Sequence, residues 1–385
     1  MPLFFMYNKV YKIVRRCKWV HGLALKKEGI DIIKKIDTIK VNSIAQKITD
    51  KLCTAFPEHG FSRTDLFTSL SRLDMYLAKM TDALCGAKYY YKDNSMYFNI
   101  DFPLDSVDSF ALHECIHYLQ EVKDENGNLI RLGLYNFEEG QGMAINEAAV
   151  QLMTVTALDK PILDATYYGL SIPSNSIDCY PLECAIIRQM SYFTGTYPLF
   201  HSTINGNDIF KNTFIAISDK KTYKKIELNL DKMLDLENYL AMYFEDLKYS
   251  DGNVRKVKKI NSAIVNTKNK IADLFLKCQN EIISVCFSKE VENVHNLTDI
   301  KLLKNKAYNF KNLIATNSTY SYYNEFYRHL MEVLDEKASY IQEHGPYNYV
   351  QTLSQELIVP QKYNKVFAFF RKVVSFGIFS KRRSY

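Results

Sequence analysis

Ala111-Leu112-His113-Glu114-Cys115-Ile116-His117-Tyr118-Leu119 contains the pattern His-Glu-x-x-His. On a helix, residues four apart lie on one face, so His113 and His117 reach toward a single ion. Glu114 follows the first of them and is placed to poise a metal-bound water. Zinc suits two neutral imidazoles plus one carboxylate, with a fourth position left to water. The flanks, Phe110, Leu112, Cys115, Ile116 and Leu119, fit a buried helix. Cys115 sits two residues from each histidine, on the opposite side of that helix, and reads as packing.

Further on, Gly142-Met143-Ala144-Ile145-Asn146-Glu147-Ala148-Ala149-Val150-Gln151 reads as the start of a second helix, rich in Ala and free of breakers, with Glu147 thirty residues after His117. A two-histidine site needs a third protein ligand, and a carboxylate from another helix is a common solution. Over about residues 88–200 the chain resembles the thermolysin-like gluzincins, zinc metallopeptidases that pair His-Glu-x-x-His with a downstream Asn-Glu helix. The resemblance implies Zn2+ as cofactor, His113, His117 and Glu147 as ligands, and Glu114 as general base. Two features depart from thermolysin. The gap between the helices is longer, and Gln151 stands where thermolysin has an aspartate four residues after its ligand glutamate. That aspartate orients a ligand histidine, and a glutamine accepts the same hydrogen bond without the charge.

The chain has 385 residues, 47% of them apolar, with 28 Tyr and 23 Phe, so it can bury a sizeable core and is not of disordered composition. No apolar run is long enough to span a membrane, and Met1 to Tyr7 is too short for a secretory h-region. The 8 cysteines form no Cys-x-x-Cys pair, which fits a reduced, cytoplasmic chain. The net charge of +6 is uneven: residues 1–20 hold five Lys/Arg and residues 361–385 hold seven, neither with an acid. The remaining middle carries 37 basic against 43 acidic residues, so no body-wide nucleic-acid surface is expected.

The expected fold class is α+β, a small sheet against zincin-type active-site helices followed by a mostly helical C-terminal region. Three regions are expected: helical 1–87, a zinc core 88–215, and helical 216–385 ending in a basic aromatic tail. In the first, the stripe Leu66, Leu70, Leu73, Leu77, Met80 and Leu84 has helical spacing. Residues 88–92 and 96–100, around a Lys92-Asp93-Asn94-Ser95 turn, read as a β-hairpin. Gluzincins place a strand beside the cleft, and the hairpin is its candidate by that resemblance. Asp105, Ser106 and Asp108 offer caps for the zinc helix. Lys123 to Asn128 is a turn, Leu129 to Leu134 a short strand, and Glu138-Glu139 a solvated approach to the second helix. Residues 159–180 are loop-like, and Pro181 to Thr194 a helix ended by Gly195.

Beyond the ion, a peptidase transition state needs a donor for the developing oxyanion. Tyr180 is the first candidate, His201 the second and Arg188 the third. Leu228 to Tyr249, Val254 to Phe287 and Tyr320 to Gln342 read as long polar helices. In the tail, Tyr363 to Tyr385 mixes Phe and Val with Lys and Arg. It is a candidate for peripheral contact with an anionic membrane, or for docking on the protein. The expected activity is that of a zinc metallopeptidase acting on peptide or protein substrates. The alternatives are a zinc hydrolase of another amide or ester, and a catalytically silent zincin-fold scaffold that binds a partner.

Overall fold

The computed structural model describes residues 30–80, 86–100, 109–250, 252–316 and 322–345. The caps expected at Asp105, Ser106 and Asp108, the basic N-terminal stretch and the basic aromatic tail lie outside the described residues. The architecture is α+β: small sheets, a group of packed helices, and long helices in the C-terminal region.

Strand β1 (Ile30–Lys35) leads into helix α1 (Thr38–Ala55). Asp37 caps α1 by accepting the Lys40 N–H at 2.9 Å. Ile44, Ala45, Ile48 and Leu52 recur at three- and four-residue spacing on its buried face. Helix α2 (Arg63–Ser71), capped by Ser62, follows. The chain then turns extended as β2 (Asp74–Met80). The helical stripe expected from Leu66 to Leu84 therefore stops at Ser71. Leu and Met favour helix only weakly, and β2 is paired on both sides, antiparallel to β1 and parallel to β4 (Ser95–Asn99). Two ladders outweigh a local preference.

The hairpin forms as expected: β3 (Ala87–Tyr90) runs antiparallel to β4, giving the order β1-β2-β4-β3. Strand β3 lies at the edge yet is wholly buried, because helix α3 (Ser109–Leu119) packs against it. A second sheet follows α3 directly: β5 (Glu121–Lys123), β6 (Leu129–Leu132) and β7 (Tyr135–Asn136).

Helix α4 (Met143–Ala157) is buried continuously from Ala144 to Val155. Its alanines allow close approach, and it packs against α1, α3, α5 (Pro181–Thr194), α6 (Thr196–Asn205) and α8 (Lys220–Lys248). Pro181 opens α5 and Gly195, at φ 82°, ends it. The stretch 159–180, expected as loop, holds a further hairpin, β8 (Leu163–Tyr167) and β9 (Leu170–Ser174). Its turn is Tyr168-Gly169, both at positive φ, the conformation that tight hairpins demand. Proline at 173 and tyrosine in the turn obscured it.

Helix α7 (Ile209–Ile217) precedes α8, and α9 (Val254–Glu292) runs for 39 residues. The Gln189 amide of α5 donates to Gln279 Oε1 of α9 at 2.9 Å. Phe193, Phe287 and Phe310 meet with centroids 5.1–5.4 Å apart.

The chain divides into two compact units: Met1–Glu290 with Tyr308–Phe326, and Val291–Ala307 with Tyr327–Tyr385. The boundaries expected near residues 87 and 215 do not separate them. Strands from both sides of 87 share one sheet, and α8 packs on α4. The second unit contains most of α10 (Leu297–Phe310) and α11 (Tyr322–His344), with Lys304 of α10 ion-paired to Asp335 of α11. No helix among the described residues is long and apolar enough to cross a membrane.

Candidate metal centre

Helix α3 places His113 and His117 one turn apart, and α4 brings Glu147 against both. The two Nε2 atoms lie 3.0 Å apart, and Glu147 Oε2 lies 3.3 Å from His113 Nε2 and 3.5 Å from His117 Nε2. A tetrahedral ion with bonds of about 2.0–2.1 Å holds its ligand atoms about 3.3–3.4 Å apart, so these edges fit one. All three side chains are buried. They are the one group of three or more such side chains among the described residues that could hold a metal ion.

His113 Nδ1 sits 2.9 Å from Gln151 Oε1, one turn beyond Glu147 on α4. With its oxygen on that side Gln151 accepts the Nδ1 proton of His113, the tautomer that turns the Nε2 lone pair to the cluster. His117 Nδ1 meets the Gln120 amide at 2.9 Å.

Glu114 accepts the Tyr89 N–H at 2.9 Å through Oε2. Asn99 N–H donates to Gly86 O, so hydrogen-bonded pairs on β3 fall at even-numbered residues. The Tyr89 N–H therefore points away from β4, toward α3. Burial among protein atoms pushes the Glu114 carboxyl up to about 7, against the pull of His113 and of the Tyr89 N–H. A carboxylate so placed is a competent proton acceptor near neutrality.

Cys115 is fully buried, and burial pushes its thiol well above the ordinary value, as suits a packing residue. Tyr180 stacks on the His113 ring with centroids 6.0 Å apart, in a left-handed backbone conformation at φ 48°. His201 and Arg188 are not brought there. His201 lies among His59 and Tyr197, with Asn207 on its Nδ1, and Arg188 donates to Pro173 O at 3.1 Å. Glu139 pairs with Lys211 at 3.2 Å.

Four supporting residues escaped the sequence reading. Tyr89 holds Glu114. Gln120 stands one helical turn after His117, a spacing that pointed to it. Gly133, at φ 53°, leaves room that a Cβ would fill, 2.6 Å from both Gln120 Oε1 and Asn146 Oδ1. Asp231 of α8 accepts the Gly142 and Ala144 N–H groups at 2.8 and 2.9 Å, capping α4 from 89 and 87 residues away. No local pattern marks that contact. No known protein family, curated protein or solved structure matches this chain.

Proposed function

We propose that the chain is a zinc-dependent metallopeptidase of gluzincin type. The observation that carries the reading is the convergence of His113 Nε2, His117 Nε2 and Glu147 Oε2 at ligand spacing, with Glu114 beside them. Zinc bound there supplies Lewis acidity toward water and the substrate carbonyl. Glu114 takes the proton of the attacking water as the carbon–oxygen bond forms. It then delivers that proton to the leaving amine as the carbon–nitrogen bond breaks. The β3–β4 hairpin, against α3, is the candidate for the strand element that flanks the cleft. Tyr180, against His113, is the donor assigned to the developing oxyanion.

The same machinery suits another amide or ester. A silent scaffold is the reading favoured by the neutral partner at Gln151. Among the described residues Cys53, Cys115, Cys184 and Cys278 are free thiols, which supports a reducing, cytoplasmic setting. Elemental analysis of the full chain, joined to cleavage of a mixed peptide library, tests the proposal. One zinc per chain with peptide cleavage is expected. No zinc leaves the scaffold, and zinc with only other amide or ester turnover moves the substrate class.

A further inference from the structure

Gln120 is fully buried between α3 and β5, and its amide Nε2 lies 2.9 Å from His117 Nδ1. Amide nitrogen and oxygen occupy nearly the same space, so the orientation must be settled by the surrounding hydrogen bonds. With nitrogen against the ring, Gln120 Oε1 is buried without a donor. It shares its surroundings with two other acceptors, Asn146 Oδ1 and Thr203 O, and with the Asn146 Nδ2 donor, which is itself buried without a partner. Gln120 Oε1, Asn146 Oδ1 and Thr203 O stand 2.6, 2.6 and 2.8 Å from the point where a Gly133 Cβ would begin. A buried acceptor facing other acceptors costs roughly 1–3 kcal/mol. Turning the amide over gives Gln120 partners at both ends and leaves Asn146 Nδ2 as the one unpartnered amide group of the pair. The carbonyl then meets His117 Nδ1, and the NH2 group faces the acceptors around Gly133. Asn146 Oδ1 is itself held there by the Leu134 N–H at 3.0 Å.

We infer that Gln120 is a positioning residue of the candidate metal centre: its carbonyl accepts the Nδ1–H of His117, as Gln151 does for His113. This inference rests on the zinc reading above and adds a second residue to it. With both Nδ1 atoms protonated, both Nε2 lone pairs point into the cluster, 3.0 Å apart, beside the Glu147 carboxylate. Three acceptors converge with no proton among them, and a cation is what satisfies them. In the opposite orientation His117 carries its proton on Nε2 and donates it to His113 Nε2. The cluster then closes as a metal-free chain of hydrogen bonds. The orientation of one buried amide thus separates an ion site from a closed histidine pair. Both partners are neutral, so the imidazoles gain less basicity than carboxylate partners would give, and more positive charge stays on the ion.

The test is histidine tautomer assignment by long-range 1H–15N correlation on the metal-free full chain. The resonances are assigned through single His→Gln variants. His117 protonated on Nδ1 is expected, and His117 protonated on Nε2 overturns the inference. Zinc affinity by chelator competition is the second arm. Gln120→Met keeps the volume and loses the acceptor, so zinc should bind about 10–100-fold more weakly. Affinity equal to wild type would also overturn it. The two readings fail separately. A wild-type chain that takes up no zinc while His117 carries its proton on Nδ1 sinks the peptidase and leaves Gln120 as assigned. Zinc uptake with the proton on Nε2 in the metal-free chain sinks the Gln120 assignment alone.

Discussion

Replacing Asp231 tests how the ligand helix is held. Its carboxylate straddles the start of α4, Oδ2 on the Gly142 N–H and Oδ1 on the Ala144 N–H, at 2.8 and 2.9 Å. Gly142 offers no side-chain cap of its own. Asp231→Ala leaves both donors without that acceptor. Each unsatisfied, partly buried donor costs about 1–3 kcal/mol. Residual access to water takes some of this back, so the expected loss is about 2–4 kcal/mol. Asp231→Asn behaves differently. Burial pushes the Asp231 carboxyl above its ordinary value even though Ala144 and Gly142 N–H groups pull it down, so its charge is a net cost in the folded chain. Asparagine keeps one acceptor and sheds that cost, and the expected loss is only about 0–1 kcal/mol. Urea unfolding at pH 7 measures both, with an unchanged m-value required for the comparison. The reasoning is refuted if the alanine variant is within about 0.5 kcal/mol of wild type, or if asparagine is as damaging as alanine.

Further outcomes are expected. Glu114→Gln should retain zinc, because the amide oxygen can still accept the Tyr89 N–H, while turnover falls about 10²–10⁴-fold; near-native turnover would remove Glu114 from water activation. His113→Ala, His117→Ala and Glu147→Ala should each lose most of the zinc, and stoichiometric metal in the His117 variant would undo the ligand assignment. Gln151→Asp should hold or raise zinc affinity, since a carboxylate makes the His113 imidazole more basic, and a marked fall would show a centre built for a neutral partner. Glu183 of α5 is fully buried with neither carboxylate oxygen partnered, and burial pushes it, like the neighbouring buried Glu237, above the ordinary carboxylate range. The protonated forms are favoured by folding, so stability should fall as pH rises above the ordinary 4.5 of these carboxyls. Glu183→Gln should flatten that fall, and parallel stability–pH curves for the two chains would refute it.

The residues of α3 were legible because their relation is local. A helix repeats every 3.6 residues, so His113 and His117 share a face whatever surrounds them. The β3–β4 hairpin, α5 between Pro181 and Gly195, and the long helices α8 and α9 were legible for the same reason: period and punctuation lie within the segment. The β8–β9 hairpin is local too, but its Tyr168-Gly169 turn and Pro173 carry the signals of a loop. Strand β2 needed the tertiary structure. Its ladders come from β1, about forty residues earlier, and from β4 after it, and they reverse what its own residues favour. The meeting of Glu147 with the histidines, the cap from Asp231, and the Gln120 amide sharing its space with Asn146 beside Gly133 likewise arise only when separate elements pack. Local spacing sets which side chains share a face. Which faces meet is decided by packing between segments distant in the chain, and no periodicity records it.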